Sequence, residues 1–447
     1  MRIPTRLALA AVLPFLAGPT VMAQANPTPI PSIPTEDPVL RSLLREAVEK
    51  SPQLAAATRV AEAEEEKIPQ AGSLPDPSLW LGYQNDGFKN FQIGRMGTSF
   101  GTVMASQAFP YPGKRKLRED VVSANAEAAR ANVDRIRLTL EADLRRAYVG
   151  LLLVRGQLSL QKEQELIWKQ AEAVAKARYE SGQGSQLDLL RAQLERMKSA
   201  QQIVRSESED HAKVIELDRL AGRPQDSPIE TEATLEGMPL PPVPPRGEAV
   251  KQAEERSPEL HSSRHHIMHA ASRVELAKLE LRPDFSVSAG VMPRGALEPM
   301  WQVGFSISVP LWSRTKQRRA IAENEALQKS EESNLDGQRR RLAQATEQRV
   351  AALDAGVRIL GLYRSVLVQS KAAFESALAQ FETGRATFSS VLEVLNGYIL
   401  DRAAFLKEQA DAQGLVIALD EANPDPAPAI GNSMQASGRV AASAPSM

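Results

Sequence analysis

Four of the five histidines of this 447-residue chain stand at 261, 265, 266 and 269, with Met268 among them. His261, His265 and His269 follow one another at i, i+4 and i+8. A helix would place them on one face, where imidazole nitrogens can hold a divalent ion or Cu(I). Three such residues span about 12 Å of helix, so an adjacent pair is the realistic site. A solvated polar face explains the same spacing, and no metal ligand is assigned. Ser185-Gln-Leu-Asp188 has the spacing of a capping box, in which an acid of the first helical turn is stabilised by the macrodipole. No glycine-rich phosphate loop, nucleophile elbow or Ser/His/Asp arrangement occurs, and there are no cysteines. The expectation is a protein that is not an enzyme and carries no cofactor.

These residues need elements to hold them, and one stretch stands out from its surroundings: Trp301-Gln-Val-Gly-Phe-Ser-Ile-Ser-Val309, closed by Pro310. Trp301, Val303, Phe305, Ile307 and Val309 fall on one face; Gln302, Gly304, Ser306 and Ser308 fall on the other. Such alternation predicts a strand with an apolar face, expected to meet lipid, and a wet one. Its length also suits a tilted strand crossing a bilayer. A second clean strand is predicted over 284–292, and weaker ones over 78–85 and 100–109. In the first of the weaker pair Leu79, Leu81 and Tyr83 share a face, with Trp80 opposite. Trp301, Trp312, Trp80, Tyr83 and Tyr111 sit near strand ends, where an aromatic girdle would lie, although ordinary packing explains Trp80 as well.

The remainder reads as helix. Lys+Arg (54) nearly balance Asp+Glu (55), so no bulk charge points to nucleic acid, and aromatics at 5% suit Ala-rich helix packing. Arg2 and Arg6 precede an apolar run over 7–16, and Val21-Met22-Ala23 offers small residues, a secretory signal expected to be cleaved after Ala23. A Pro-rich leader over 24–37 follows. No run of about 18 apolar residues occurs after it, so no membrane helix is expected. A helix is predicted over 38–67, broken at Pro69, Pro75 and Pro77. From 114 to 181 there is no proline, which predicts a helix of roughly 100 Å. In it Leu140, Leu144, Ala147, Leu151, Val154 and Leu158 step by four and three as a coiled-coil seam. Gly182-Gln-Gly184 interrupts, and a further helix runs over 186–221.

After a Pro-rich linker over 222–246 the pattern starts again. Ser51-Pro-Gln-Leu recurs as Ser257-Pro-Glu-Leu, Pro75-Asp as Pro283-Asp, Phe109-Pro as Val309-Pro, and Tyr179-Glu-Ser-Gly as Phe381-Glu-Thr-Gly. These landmarks define an internal duplication, with repeats over 38–221 and 247–421. The second repeat is expected to hold helices over 247–281, 314–383 and 388–421, and a disordered tail over 422–447. The half-length helices 38–67 and 186–221 together match the long helix. They are expected to meet end to end beside it, with the linker at mid-height. The fold class is therefore mainly α with a small β part.

Four strands cannot close a membrane barrel, and open edges are not tolerated in lipid. Two copies would give eight strands filled by side chains, whereas three would give twelve strands and a lumen. A homotrimer is the smallest assembly with a pore.

The duplicated unit, the segment Arg178-Tyr-Glu-Ser-Gly-Gln-Gly-Ser-Gln-Leu-Asp-Leu-Leu-Arg-Ala-Gln193 and Ser308-Val-Pro-Leu-Trp312 resemble the TolC family of outer-membrane efflux proteins. Leu74-Pro-Asp-Pro77 is similar to the heavy-metal branch of CusC and CzcC type. The resemblance implies a trimeric α-barrel joined to a 12-stranded β-barrel. It implies a duct through outer membrane and periplasm that docks through a periplasmic adaptor onto an inner-membrane pump of RND type. It also implies acidic rings after the two tip turns. Asp188 matches the acid after the first turn and Glu393 one of two after the second. Ser390 stands where the other acid is expected, and Ala386 where an arginine often is. The implied cargo is heavy-metal cations, with drugs or other small molecules as the alternative. A periplasmic adaptor would need soluble β-domains that four amphipathic strands do not supply. A secreted coiled-coil scaffold would expose the 284–309 hairpin to water as an aggregation hazard.

Overall fold

The computed structural model describes residues 37–423 except 89 and 93; the expected signal, nearly all of the leader and the tail from 424 onward lie outside the described residues. In chain order the elements are α1 (Pro38–Lys50), α2 (Pro52–Gly72), β1 (Ser78–Gln84), β2 (Phe100–Phe109), α3 (Lys114–Glu180) and α4 (Gln186–Ala221). The second half repeats the order with α5 (Arg246–Arg256), α6 (Pro258–Leu279), β3 (Asp284–Arg294), β4 (Leu297–Ser308), α7 (Gln317–Glu382) and α8 (Phe388–Ala422). The long helices α3 and α7 have 67 and 66 residues, about 100 Å each at 1.5 Å per residue. Of the expected seam, Leu140, Leu144, Ala147, Leu151 and Val154 are buried and Leu158 is half-buried.

The helix expected over 38–67 is two helices, and so is the one over 247–281. Both breaks fall at the Ser-Pro pair that marks the duplication. Proline disfavours the helical region for the residue before it, and Ser51 and Ser257 are extended at ψ 117° and 119°. Ser51 closes α1 by donating its N–H to Ala47 O, and caps α2 by accepting from Leu54 N at 3.3 Å. Pro69, by contrast, does not break its helix: α2 continues through it to Gly72. Pro69 is exposed and less than one turn follows it, so the carbonyl it frees can be hydrated at little cost.

The strands form one antiparallel sheet in the order β1-β2-β3-β4. The inner pair β2–β3 joins the two repeats, with Phe109 opposite Phe285 and Val103 opposite Val291. The second hairpin is longer than the alternation predicts. It turns on Gly295-Ala296, Gly295 taking φ +63°, and absorbs Pro293 at a register shift between Met292 and Arg294. At its other end β4 stops at Ser308, so Val309 lies just past the strand rather than in it. Similarly, 314–316 form a turn ahead of α7 instead of its first residues.

In the half nearer the sheet, α3 packs between α2 and α6, and α6 against α7. In the far half α3 packs between α4 and α8, and α8 against α7. The 13-residue helix α1 meets the half-length helix α4 at mid-height. There Gly222 caps α4 at φ +67°, and a Cβ on it would lie 2.8 Å from Lys50 Cβ. Arg223 Nε donates to Glu46 Oε2 at 3.0 Å across this junction. Segment 222–245 wraps it, burying Ile229, Leu235 and Met238 against Leu40, Leu43, Tyr148 and Leu217.

Candidate functional site

The sheet register decides where each strand side chain goes. Ile307, Phe305, Val303 and Trp301 stand opposite Phe285, Val287, Ala289 and Val291. The same face continues through Val103 and Phe109 to Leu79 and Leu81. The result is an apolar surface across all four strands, with Trp301 78%, Val303 64% and Phe305 65% exposed in the single chain. Its one amide, Gln107, donates to Pro75 O at 2.7 Å. On β3 and β4 the opposite face is mostly small and polar, with Ser286 and Ser306 sharing a hydroxyl hydrogen bond of 2.6 Å, and Met104, Met292 and Met300 add apolar side chains to it. Trp80 lies on this wet face with its ring over Gly82, where a Cβ would come within 2.1 Å of it. It therefore packs over its own strand and takes no place in a lipid-facing girdle. β1 and β4 each keep one edge without a strand partner among the described residues.

Where strands meet helices, Lys114 is 1% exposed. Its ammonium donates to Asp284 Oδ1 at 2.9 Å, Glu280 Oε2 at 3.2 Å and Arg282 O at 3.2 Å. Asp284 also accepts from Tyr111 N at 2.7 Å. Burying a lysine is costly unless it is paired and hydrogen-bonded, as here. The network ties the end of the first repeat's hairpin to the start of the second's. Sequence reasoning missed Lys114, because a lysine in Gly-Lys-Arg-Lys reads as solvated.

At the far end the two turns are built alike. Gly182 and Gly384 take φ +73° and +79°. Gln183 N donates to Arg178 O at 2.9 Å, and Arg385 N to Gln380 O at 2.8 Å, which is the Schellman closure. Below them Trp168, Phe374, Phe381, Phe388, Val391 and Leu395 form one buried cluster. Asp188 is half-buried in the first turn of α4, and Glu393 is exposed on α8. The capping box expected at Ser185 forms only in part. Ser185 Oγ accepts from Leu187 N at 3.1 Å, and the Asp188 carboxylate makes no hydrogen bond or ion pair among the described residues. At the matching place in α8, Thr387 and Ser390 bond through their hydroxyls at 2.9 Å.

Two arginines that the sequence reading did not single out cross between the hairpins. Arg178 lies over the Phe381 ring, and Arg191 Nη1 donates to Ser389 Oγ at 2.8 Å. Their signal was an asymmetry of the repeat: the positions matching Arg178 and Arg191 hold Gln380 and Glu393.

A family model described as outer membrane efflux protein matches residues 43–223 and 249–422. The chain belongs to that family. This outer membrane efflux protein therefore sits in the outer membrane and extends into the periplasm. It is 26% identical over 217 residues to the nickel-cobalt-cadmium resistance protein NccC of Alcaligenes xylosoxydans, an alignment covering 48% of each chain, about half the length of that relative. It is 26% identical to the pyoverdine export outer membrane protein OpmQ of Pseudomonas putida, over 80% of this chain and 79% of that one. The fold is similar to that of the channel protein CusC, with TM-score 0.75 and 16% identity over 86% of this chain and 92% of the other.

Four histidines of this efflux protein lie on α6. His261 Nε2 is 2.9 Å from Glu255 O. His265 and His269 are half-buried and His266 is exposed. Burial, then Arg273 and His266, hold the His269 imidazole below the usual range. Among the described residues no three His, Cys, Asp or Glu side chains are grouped to hold a metal ion, and no helix is long and apolar enough to cross a membrane.

Proposed function

We propose that three copies of this chain close into a single duct that carries heavy-metal cations out through the periplasm and outer membrane, docked through an adaptor onto an inner-membrane pump. The observation that carries the trimer is the sheet: a continuous apolar face with an unpaired edge on β1 and another on β4. In hydrocarbon those edges must pair. Joining β4 of one copy to β1 of the next gives twelve strands around a polar lumen. The outer helices support the same closure. In the far half α4 and α7 are the two flanks of the protomer. α4 exposes Leu187, Leu190, Leu194 and Met197, and α7 exposes Ile359, Leu362 and Val366. Both sets step by three and four, the spacing of a coiled-coil seam awaiting a partner.

Metal cations as cargo rest on the likeness to NccC and on Leu74-Pro-Asp-Pro77; the likeness to OpmQ favours a small organic molecule as the second reading. In either case we assign Asp188 and Glu393 to the tip as the acids that ring its opening, where like charges favour cations and disfavour anions. A strain lacking this chain, challenged with nickel, cobalt, cadmium, dyes and antibiotics, tests the cargo. Sensitivity to the metals alone supports the first reading; sensitivity to the organic compounds alone replaces it with the second.

A further inference from the structure

The two turns that lead from strand to long helix occupy matching places in the duplication but treat their cations differently. After β2, the four cations at 114, 115, 116 and 118 are engaged within the protomer, Arg118 lying 3.9 Å from Glu280. Lys114 is buried on Asp284, Arg115 Nε donates to Gly72 O at 2.7 Å, and Lys116 Nζ is 3.1 Å from Asp120. After β4, Arg314, Lys316, Arg318 and Arg319 are all exposed, and among the described residues none has a side-chain hydrogen bond, ion pair or ring contact.

Directly beside these cations stand Val309, Leu311 and Trp312, 62%, 79% and 75% exposed. Val309 follows the alternation of Phe305 and Ile307 just past the end of β4, and Leu311 and Trp312 come next, at the turn. The chain thus passes within a few residues from a hydrocarbon-compatible face, through an exposed tryptophan, to four unneutralised cations. That order matches the edge of a lipid leaflet, where tryptophan occupies the interface and phosphates lie beyond it. Guanidinium groups bind phosphate oxygens in pairs, which a lysine-only patch cannot do.

We propose that residues 309–319 form a binding site for the headgroup of an anionic phospholipid in the periplasm-facing leaflet. Trp312 sits at the hydrocarbon boundary, and Arg314, Lys316, Arg318 and Arg319 meet the phosphate. The site rests on the reading of the Phe305 face as lipid-facing. A lipid fits better than an acidic protein because the cations adjoin a surface that must itself lie in hydrocarbon. A trimer would carry three such sites, a basic collar fixing how deep the barrel rides.

The test uses the full chain in phosphatidylcholine vesicles containing either brominated phosphatidylglycerol or brominated phosphatidylcholine at equal mole fraction. Quenching of Trp312 is taken as the difference between the wild-type protein and Trp312→Phe. Each cation near a lipid surface contributes about fivefold to anionic preference at low salt, so wild type is expected to prefer phosphatidylglycerol by at least roughly tenfold. Molar salt should erase the preference by screening. The variant Arg314→Gln/Lys316→Gln/Arg318→Gln/Arg319→Gln should bring it near one. Equal quenching of wild type by the two lipids overturns the site, as does a preference that survives in the variant. If the variant fails to fold, the wild-type ratio and its salt dependence still decide. Trimers that conduct ions but show no lipid preference overturn the headgroup site alone. Protein that does not enter the vesicles overturns the lipid-facing reading and this site with it.

Discussion

The guanidinium carbon of Arg178, two residues before the end of α3, lies 4.9 Å from the ring centre of Phe381, one residue before the end of α7. The same side chain lies against the second tip turn, since a Cβ on Gly384 would come within 2.7 Å of Arg178 Nη2. One residue of the first hairpin thus clasps the second where the helices end. A contact of this kind contributes about 0.5–1 kcal/mol at a partly exposed site. Arg178→Gln, which copies the residue at the matching position 380, should raise resting conductance in planar bilayers while leaving the melting temperature nearly unchanged. Unchanged conductance would show that the clasp does not hold the tip.

Asp188→Asn combined with Glu393→Gln removes two acids per copy without altering side-chain size. With the two acids at the opening, cation preference should weaken and resting conductance rise. Among the described residues neither carboxylate has a hydrogen bond or ion pair, so thermal stability should change little. Retained selectivity with lowered stability would instead assign both acids to helix capping.

Phe305 and Ser306 are neighbours on opposite faces of β4. An arginine at a lipid-facing strand position near the midplane costs about 2–4 kcal/mol. Phe305→Arg should therefore reduce heat-modifiable trimers in outer-membrane fractions, whereas Ser306→Arg should leave them close to wild type. Equal assembly of both variants contradicts the face assignment.

Much of this was legible in the chain because it depends on local pattern. The alternation in 301–309 put Trp301, Val303, Phe305 and Ile307 on one face, as the strand register does, since a period-two repeat leaves no other choice. Proline-free stretches gave the long helices. What was missed depended on context. Ser51-Pro52 and Ser257-Pro258 served as landmarks of duplication, yet their role as helix breaks follows from a serine held extended before proline, which at Ser51 both ends one helix and caps the next. Pro69 looked like the stronger breaker, but its position near a helix end made it harmless. Lys114 could not be found locally, because its partners Glu280 and Asp284 lie in the other repeat. At the tip, Arg178 and Arg191 act across hairpins, and only the imperfect match between repeats hinted at them.

The mid-height junction should make stability depend on acid pH. The Arg223 guanidinium beside Glu46, against a smaller opposing effect of burial and with help from Lys50, holds the carboxyl down to about 2. A carboxylate lowered on folding adds stability that is fully present above its unfolded value and is lost as pH falls through its folded one. The loss should therefore fall between about pH 4.5 and pH 2. After discounting for solvent screening, the contribution is on the order of 1–2 kcal/mol. Glu46→Gln should melt earlier than wild type at pH 7, and the difference should shrink toward pH 2. A pH-independent difference would mean the pair contributes through packing alone.

A duct requires closure of the sheet by copies of the same chain. The direct measurement is the mass of the detergent-solubilised assembly by native mass spectrometry. Edges left unpaired on β1 and β4, with apolar seams exposed on α4 and α7, require a single species of three chains. A uniform population of monomers or dimers would contradict it.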